Sequence, residues 1–178
     1  MTSDARQCDR LLGHRWIGPR PVFVVDVSGS MVGLKLACLL ENLVQLLRPG
    51  GQIHAQTTAF GILATMGGTV SAFPPALSRP LGAQLQPTSE STLEKAIDWV
   101  CSWRAGGGSR VEDAVGIALA VGDASEVVLL ADQCPTRGIP MAFGKHQAQQ
   151  QLPINTVAFG GDLASRRFLI QVLGADMV

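Results

Sequence analysis

Two short apolar runs that each end at an aspartate constrain the fold of this chain more than any other feature. "VFVVD" ends at Asp26 and "SEVVLLAD" ends at Asp132. Runs this apolar are typical of strands buried on both faces in the middle of a parallel sheet. Between and around them lie segments of helical periodicity, and this alternation is typical of α/β proteins. We therefore expect a doubly wound, Rossmann-like, mostly parallel central sheet with helices on both faces and one antiparallel edge strand.

The helical segments are predicted from apolar residues that recur every three or four positions. One helix is expected at 32–48, ending at "PGG", and a second begins with the capping-box pair Ser91 and Glu94. Two more are expected at 111–119 and at 163–173. The histidines show no partner that suggests base catalysis.

The remaining strands are predicted from β-branched runs and turn residues. Residues 52–60 and 64–73 are expected to be two strands that form an antiparallel hairpin with its turn near Gly61. Residues 73–87 are rich in proline and predict a loop, and "LPINTVAFGGD" predicts a further strand of the sheet.

Length and composition favour a single folded domain. The chain has 178 residues, of which 47% are hydrophobic, and this is ample for a core on both faces of a sheet. Residues 1–20 form a polar N-terminal arm, and residues 21–178 are expected to form one domain.

Charge and targeting signals exclude several classes of partner. Lys and Arg number 14 and so do Asp and Glu, so no basic surface predicts binding to nucleic acid or to an anionic membrane. The N-terminal residues lack the apolar core of an export signal, and no later run is long enough to span a membrane. We expect a cytoplasmic protein whose four scattered cysteines, Cys8, Cys38, Cys101 and Cys134, are reduced thiols.

Polar residues at strand ends are the first candidates for a site. In an open parallel sheet, ligands bind beyond the carboxyl ends of the strands, where the winding direction changes. If the two apolar strands are neighbours, Asp26 and Asp132 meet there with Ser28, Ser30 and the Ser109 of "GGGS". Two carboxylates and three hydroxyls are the oxygen donors that a hard divalent cation such as Mg²⁺ prefers.

These three motifs resemble the von Willebrand factor A domain and its metal-ion-dependent adhesion site. D-x-S-x-S at 26–30, "GGGS" before a helix, and "LLAD-x-x-P-T" at a later strand end follow the family's order and approximate spacing from about residue 21 onward. The resemblance implies that Ser28 and Ser30 bind Mg²⁺ directly, with Mn²⁺ or Ca²⁺ as alternatives. It implies that Asp26 and Asp132 act directly or through water, and that Ser109 stands where the family usually has threonine.

The resemblance also implies a function in binding rather than catalysis. An Asp or Glu carboxylate from a partner protein would complete the metal's coordination. Small intracellular members serve as adaptors or as subunits of larger assemblies, including AAA+ ATPase and chelatase complexes. The same comparison implies no nucleic acid and no membrane partner, and it leaves the oligomeric state open.

Three departures from the family pattern bear on the site. Serine at 109 lacks the methyl group that restricts χ1 in threonine, so its oxygen is less preorganised. Gln133 and Cys134 replace the family's usual residues after the aspartate. The family's last strand is expected to be short or missing, because the sequence ends at "GADMV".

Other interpretations of the same residues stay open. The serines and aspartates could be turn or helix caps, and Ser109 with Glu112 forms a capping-box pattern. A metal-dependent hydrolase or phosphatase of α/β fold is a second alternative. Ser28 stands where such a phosphatase would need an acid, however, and no lysine lies near the later strand ends in sequence. A metal-free scaffold of the same fold is the third.

Overall fold

A mixed sheet with helices on both sides forms the body of the computed structural model, which describes residues 18–75, 84–132 and 152–159. Its strands are β1 (Pro21–Asp26), β2 (Ala59–Met66), β3 (Thr69–Ala72), β4 (Gln86–Pro87), β5 (Glu126–Ala131) and β6 (Ile154–Ala158). The order across the sheet is β3-β2-β1-β5-β6, and β4 pairs with β2 off this path. Strands β2, β1, β5 and β6 are mutually parallel, whereas β3 runs antiparallel at the edge.

The central strand β1 is buried on both faces, as its composition predicts. Phe23 and Val25 belong to one apolar core, while Val22 and Val24 belong to the other. Adjacent side chains of a strand point to opposite faces, so an uninterrupted apolar strand needs a core on each side. The predicted fold class, a doubly wound and mostly parallel sheet with one antiparallel edge strand, is confirmed.

The helices are α1 (Leu34–Leu47), α2 (Gln52–Gln56), α3 (Glu90–Cys101) and α4 (Val111–Leu119). The first three pack on the face that holds Phe23, and α4 covers the opposite face. Helix α1 follows a single 3-10 turn at Gly29–Met31. It lies within the predicted range of 32–48. The predicted helix at 163–173 lies outside the described residues.

The predicted hairpin is wrong in its first strand and in its turn. Residues 52–56 are helix α2, because Ile53 and Thr57, four positions apart, both face the core, and the Thr57 hydroxyl donates to the Ile53 carbonyl at 2.7 Å. Gly61 lies inside β2. The real turn is Gly67-Gly68, where φ is 61° and 76°, as a two-residue hairpin loop of this kind requires.

The predicted capping box at the start of α3 is also wrong. Ser89 is the N-cap, and its hydroxyl accepts from the Thr92 amide at 3.3 Å. Ser91 lies within the first turn of the helix instead. Capping selects the residue just before the first helical φ, and serines two positions apart satisfy similar sequence patterns.

The cysteines do not all match the expectation of reduced thiols. Cys38 on α1 is disulfide-bonded to a cysteine outside the described ranges, and Cys101 is free and exposed. Among the residues that the structure describes, no helix is long and apolar enough to cross a membrane.

Candidate metal centre

The two aspartates lie side by side at the point where the sheet changes its winding direction. Asp26 is the last residue of β1, and Asp132 directly follows β5, the parallel neighbour of β1. From β1 the chain passes through α1 and α2 to β2 on one side, and it later reaches β5 on the other. Both carboxylates are buried, with 2% and 0% of their residue surface exposed.

Asp26 is held from three sides by neutral donors. Its Oδ1 accepts from the Ser28 amide at 2.9 Å and from the Thr65 hydroxyl at 3.0 Å. Its Oδ2 accepts from the Ser109 hydroxyl at 3.1 Å. These contacts fix the carboxylate plane, so Asp26 is oriented by its surroundings.

A second chain of oxygens joins the serines of the first motif to Asp132. The Ser28 and Ser30 hydroxyl oxygens lie 3.0 Å apart, and the Ser30 hydroxyl donates to Asp132 Oδ1 at 2.9 Å. The other oxygen, Oδ2, accepts from Lys35 Nζ at 2.6 Å. Lys35 also donates to the Ser30 carbonyl at 3.2 Å.

The loops that carry these side chains are joined through their backbones. Gly107 accepts from the Gly29 amide at 3.0 Å, while Gly106 donates to the Val27 carbonyl at 3.1 Å and accepts from the Gly67 amide at 2.9 Å. Gly107 has a φ of 69°, a conformation that favours glycine. The "GGG" stretch therefore allows the close approach that brings Ser109 to Asp26.

The structure brings all five predicted site residues together: Asp26, Ser28, Ser30, Ser109 and Asp132. The capping alternative is wrong for two of them. The Ser28 side chain makes no capping bond to the 3-10 turn, and α4 has Arg110 rather than Ser109 as its N-cap. That the five residues bind a metal stays a prediction.

Two residues of the site were missed in the sequence. Thr65 faces Asp26 in the register between β1 and β2, and the misplaced hairpin hid this position. Lys35 reaches Asp132 from the first turn of α1, nearly a hundred positions away along the chain. The later strand ends have no lysine nearby in sequence, but β5 has one nearby in space.

The donor set suits a hard cation. Among the described residues, no group of three or more His, Cys, Asp or Glu side chains lies together, so the centre consists of two carboxylates and neutral hydroxyls. Lys35 is the counterion of Asp132, and no ion pair within the described ranges reaches Asp26. A buried carboxylate without a counterion is costly, and a bound divalent cation would offset that cost.

The strand order and the arrangement of the strand-end residues define a von Willebrand factor A fold, and known structures support this conclusion. The chain is similar to a von Willebrand factor type A protein from Catenulispora acidiphila, with a TM-score of 0.58 and 18% identity over 88% of this chain. It is also similar to the conserved hypothetical protein BatB from Bacteroides thetaiotaomicron, with a TM-score of 0.54 and 14% identity over 78% of this chain. At these identities the likeness concerns the fold.

The chain spans 37% of the Catenulispora chain and 65% of the BatB chain. No protein-family model matches the sequence, and a search of curated proteins finds no match. The function is therefore inferred from the site.

Proposed function

We propose that this chain is a metal-dependent protein-interaction module. In this proposal, Mg²⁺ bound by Asp26, Ser28, Ser30, Ser109 and Asp132 accepts an Asp or Glu carboxylate from a partner protein. The module would serve as an adaptor or as a subunit of a larger assembly, such as one built around an AAA+ ATPase or a chelatase.

The spacing of the oxygens is the observation that carries the proposal. Adjacent oxygens of an octahedral site with metal–oxygen bonds of about 2.0–2.1 Å are separated by about 2.9 Å. The pairs Ser28–Ser30, Ser30–Asp132 and Ser109–Asp26 are separated by 3.0, 2.9 and 3.1 Å. Ca²⁺, with its longer bonds, would need roughly 3.3–3.7 Å between neighbours. The spacing favours Mg²⁺ or Mn²⁺.

The charge of the donor set supports binding of a further carboxylate. Three of the five donors are neutral hydroxyls, so the cation would keep more positive charge than it would among three or four carboxylates. Ser30 and Ser109 are only half-buried, and the neighbouring Gly29 and Gly108 are exposed. A side chain from another protein could therefore approach from the loop side.

Binding is favoured over catalysis by the groups around Asp26. A phosphatase that used Asp26 as nucleophile would need an acid two residues later, where the neutral Ser28 stands. The ammonium of Lys35 contacts Asp132 and Ser30 rather than Asp26. The proposal therefore assigns no catalytic residue.

Removal of the Ser28 hydroxyl tests the metal site. In Ser28→Ala we expect the affinity for Mn²⁺, measured by calorimetry, to fall at least tenfold, because one direct ligand is lost. Ser91→Ala is the matched control, since Ser91 is exposed on α3. Circular dichroism checks that both variants are folded. Equal Mn²⁺ affinity in all three proteins would refute the site.

The interaction itself is tested by affinity capture from the cells that make the protein. Tagged wild type and Ser28→Ala are compared with Mg²⁺ and with EDTA. A partner retained by the wild type in Mg²⁺ and lost under the other three conditions supports the proposal. A partner that binds equally in EDTA would show that the module uses another surface.

A further inference from the structure

Lys35 is the feature of the site that the proposed function does not use. Its ammonium lies 2.6 Å from Asp132 Oδ2 and 3.2 Å from the Ser30 carbonyl. Asp132 is fully buried, whereas 37% of the lysine side chain is exposed. The contact is thus an ion pair between a buried carboxylate and a cation at the solvent boundary.

The position of Lys35 in its helix indicates that this pairing determines where the ammonium lies. Lys35 is the second residue of α1, where the helix dipole presents partial positive charge and disfavours a cation. The first turn contains no acidic side chain that would hold the lysine locally. The carboxylate of Asp132 therefore supplies the attraction, across the end of the sheet.

A metal ion and Lys35 would compete for the same charge. Asp26 and Asp132 are two buried carboxylates, and Lys35 neutralises one of them. A divalent cation beside both aspartates would repel the ammonium and replace it as the counterion of Asp132. The free energy of the Lys35 pair is then lost each time the metal binds.

The surroundings of Lys35 allow this replacement without repacking. Leu34 is 84% exposed, and Gly33 is exposed as well, so nothing buried covers the lysine stem from that side. Rotation of the four-carbon side chain is enough to move the ammonium into water. The core residues of α1 lie further along the helix, from Leu39 onward.

We propose that Lys35 is a built-in competitor of the metal, which lowers the metal affinity of the site and so raises the cation concentration at which the module binds its partner. This inference rests on the proposed function, because it concerns the same site. Lys35 is a positioning residue for Asp132 when no metal is bound, and it is displaced when a metal binds.

Removal of the charge tests the inference. Lys35→Met keeps the length of the side chain without the ammonium, Lys35→Arg keeps the charge, and Lys95→Met is the control on the exposed side of α3. At constant ionic strength we expect Lys35→Met to bind Mn²⁺ roughly fivefold more tightly than the wild type. Lys35→Arg and Lys95→Met should stay close to the wild type.

Thermal unfolding separates competition from a structural role. In EDTA, Lys35→Met should melt below the wild type because Asp132 loses its counterion; in saturating Mn²⁺ that deficit should disappear. A merely structural lysine would lower the melting temperature equally in both conditions and would not tighten metal binding.

The outcomes distinguish this inference from the proposed function. Wild type and Lys35→Met that bind Mn²⁺ equally would overturn the inference and leave the metal site standing. Binding by Lys35→Met alone would support the inference and refute metal dependence of the wild type. Absence of binding in both proteins would overturn the two proposals together.

Discussion

At the scale of single residues, the site depends on which atoms satisfy two buried carboxylates. Asp26 has only neutral donors, while Asp132 has a hydroxyl and an ammonium. The two aspartates are therefore unequal, although the sequence presents them alike, each at the end of an apolar strand. The unpaired charge at Asp26 is where a cation would contribute most.

Thr65 is the residue whose loss should affect the unoccupied carboxylate directly. Thr65→Val keeps the shape of the side chain but removes the hydroxyl that donates to Asp26 Oδ1. We expect urea unfolding in EDTA to show a loss of about 1–3 kcal/mol, the usual cost of leaving a buried polar group short of a partner. Thr58→Val, on the exposed side of the same region, should change stability by less than about 0.5 kcal/mol.

If Thr65→Val and Thr58→Val have the same unfolding free energy, the Thr65 hydroxyl does not support Asp26. In that case the orientation of Asp26 depends on Ser28 and Ser109 alone.

At the scale of elements, much of the site was predictable because it follows strand ends. A strand ending at an aspartate is visible in sequence, and parallel neighbours bring their carboxyl ends to one edge of the sheet. Thr65 and Lys35 were not predictable in this way. Thr65 depends on the register of β2 against β1, and the short helix α2 obscured where β2 begins. Lys35 depends on how far a long side chain reaches across the sheet edge.

The "GGG" loop is the element that joins the site to the β2–β3 hairpin. A Cβ at Gly107 would lie 2.5–2.7 Å from backbone atoms of Gly67 and Gly68, and the φ of 69° is itself unfavourable for other residues. We expect Gly107→Ala to destabilise the protein by about 2–3 kcal/mol in chemical denaturation.

Gly108→Ala is the matched control for Gly107→Ala. A Cβ at Gly108 would meet nothing within 4 Å, and Gly108 is not among the glycines with positive φ. Its stability should stay within about 0.5 kcal/mol of the wild type. Equal stabilities for the two alanine variants would show that the loop is not held against the hairpin as described.

At the scale of the whole molecule, the site lies between the two halves of the core. Strands β1 and β5 have side chains in both cores, so their carboxyl ends are held rigidly from both faces of the sheet. A cation that joins Asp26 to Asp132 would connect two strands that are already fixed. Metal binding is therefore expected to change the stability of the whole domain more than its shape.

The stability of the whole protein should consequently depend on metal. At a free Mn²⁺ concentration of about 100 times Kd, linkage predicts about 2.7 kcal/mol of stabilisation, or a rise of roughly 5–11 °C in Tm for a protein of this size. Asp26→Asn should abolish that rise. In EDTA its Tm should equal or exceed that of the wild type, because the amide keeps the shape of Asp26 without a buried charge.

Asp123→Asn is the control, since Asp123 is exposed and lies 3.8 Å from Arg20, and it should keep the full Mn²⁺ response. A gain in stability on removing the Asp26 charge, together with loss of the metal response, would mean that this charge is kept at the expense of the metal-free fold. Such a trade is expected of a binding site and not of a residue that ends a strand. An Mn²⁺-induced rise in Asp26→Asn as large as in the wild type would place metal binding elsewhere in the chain.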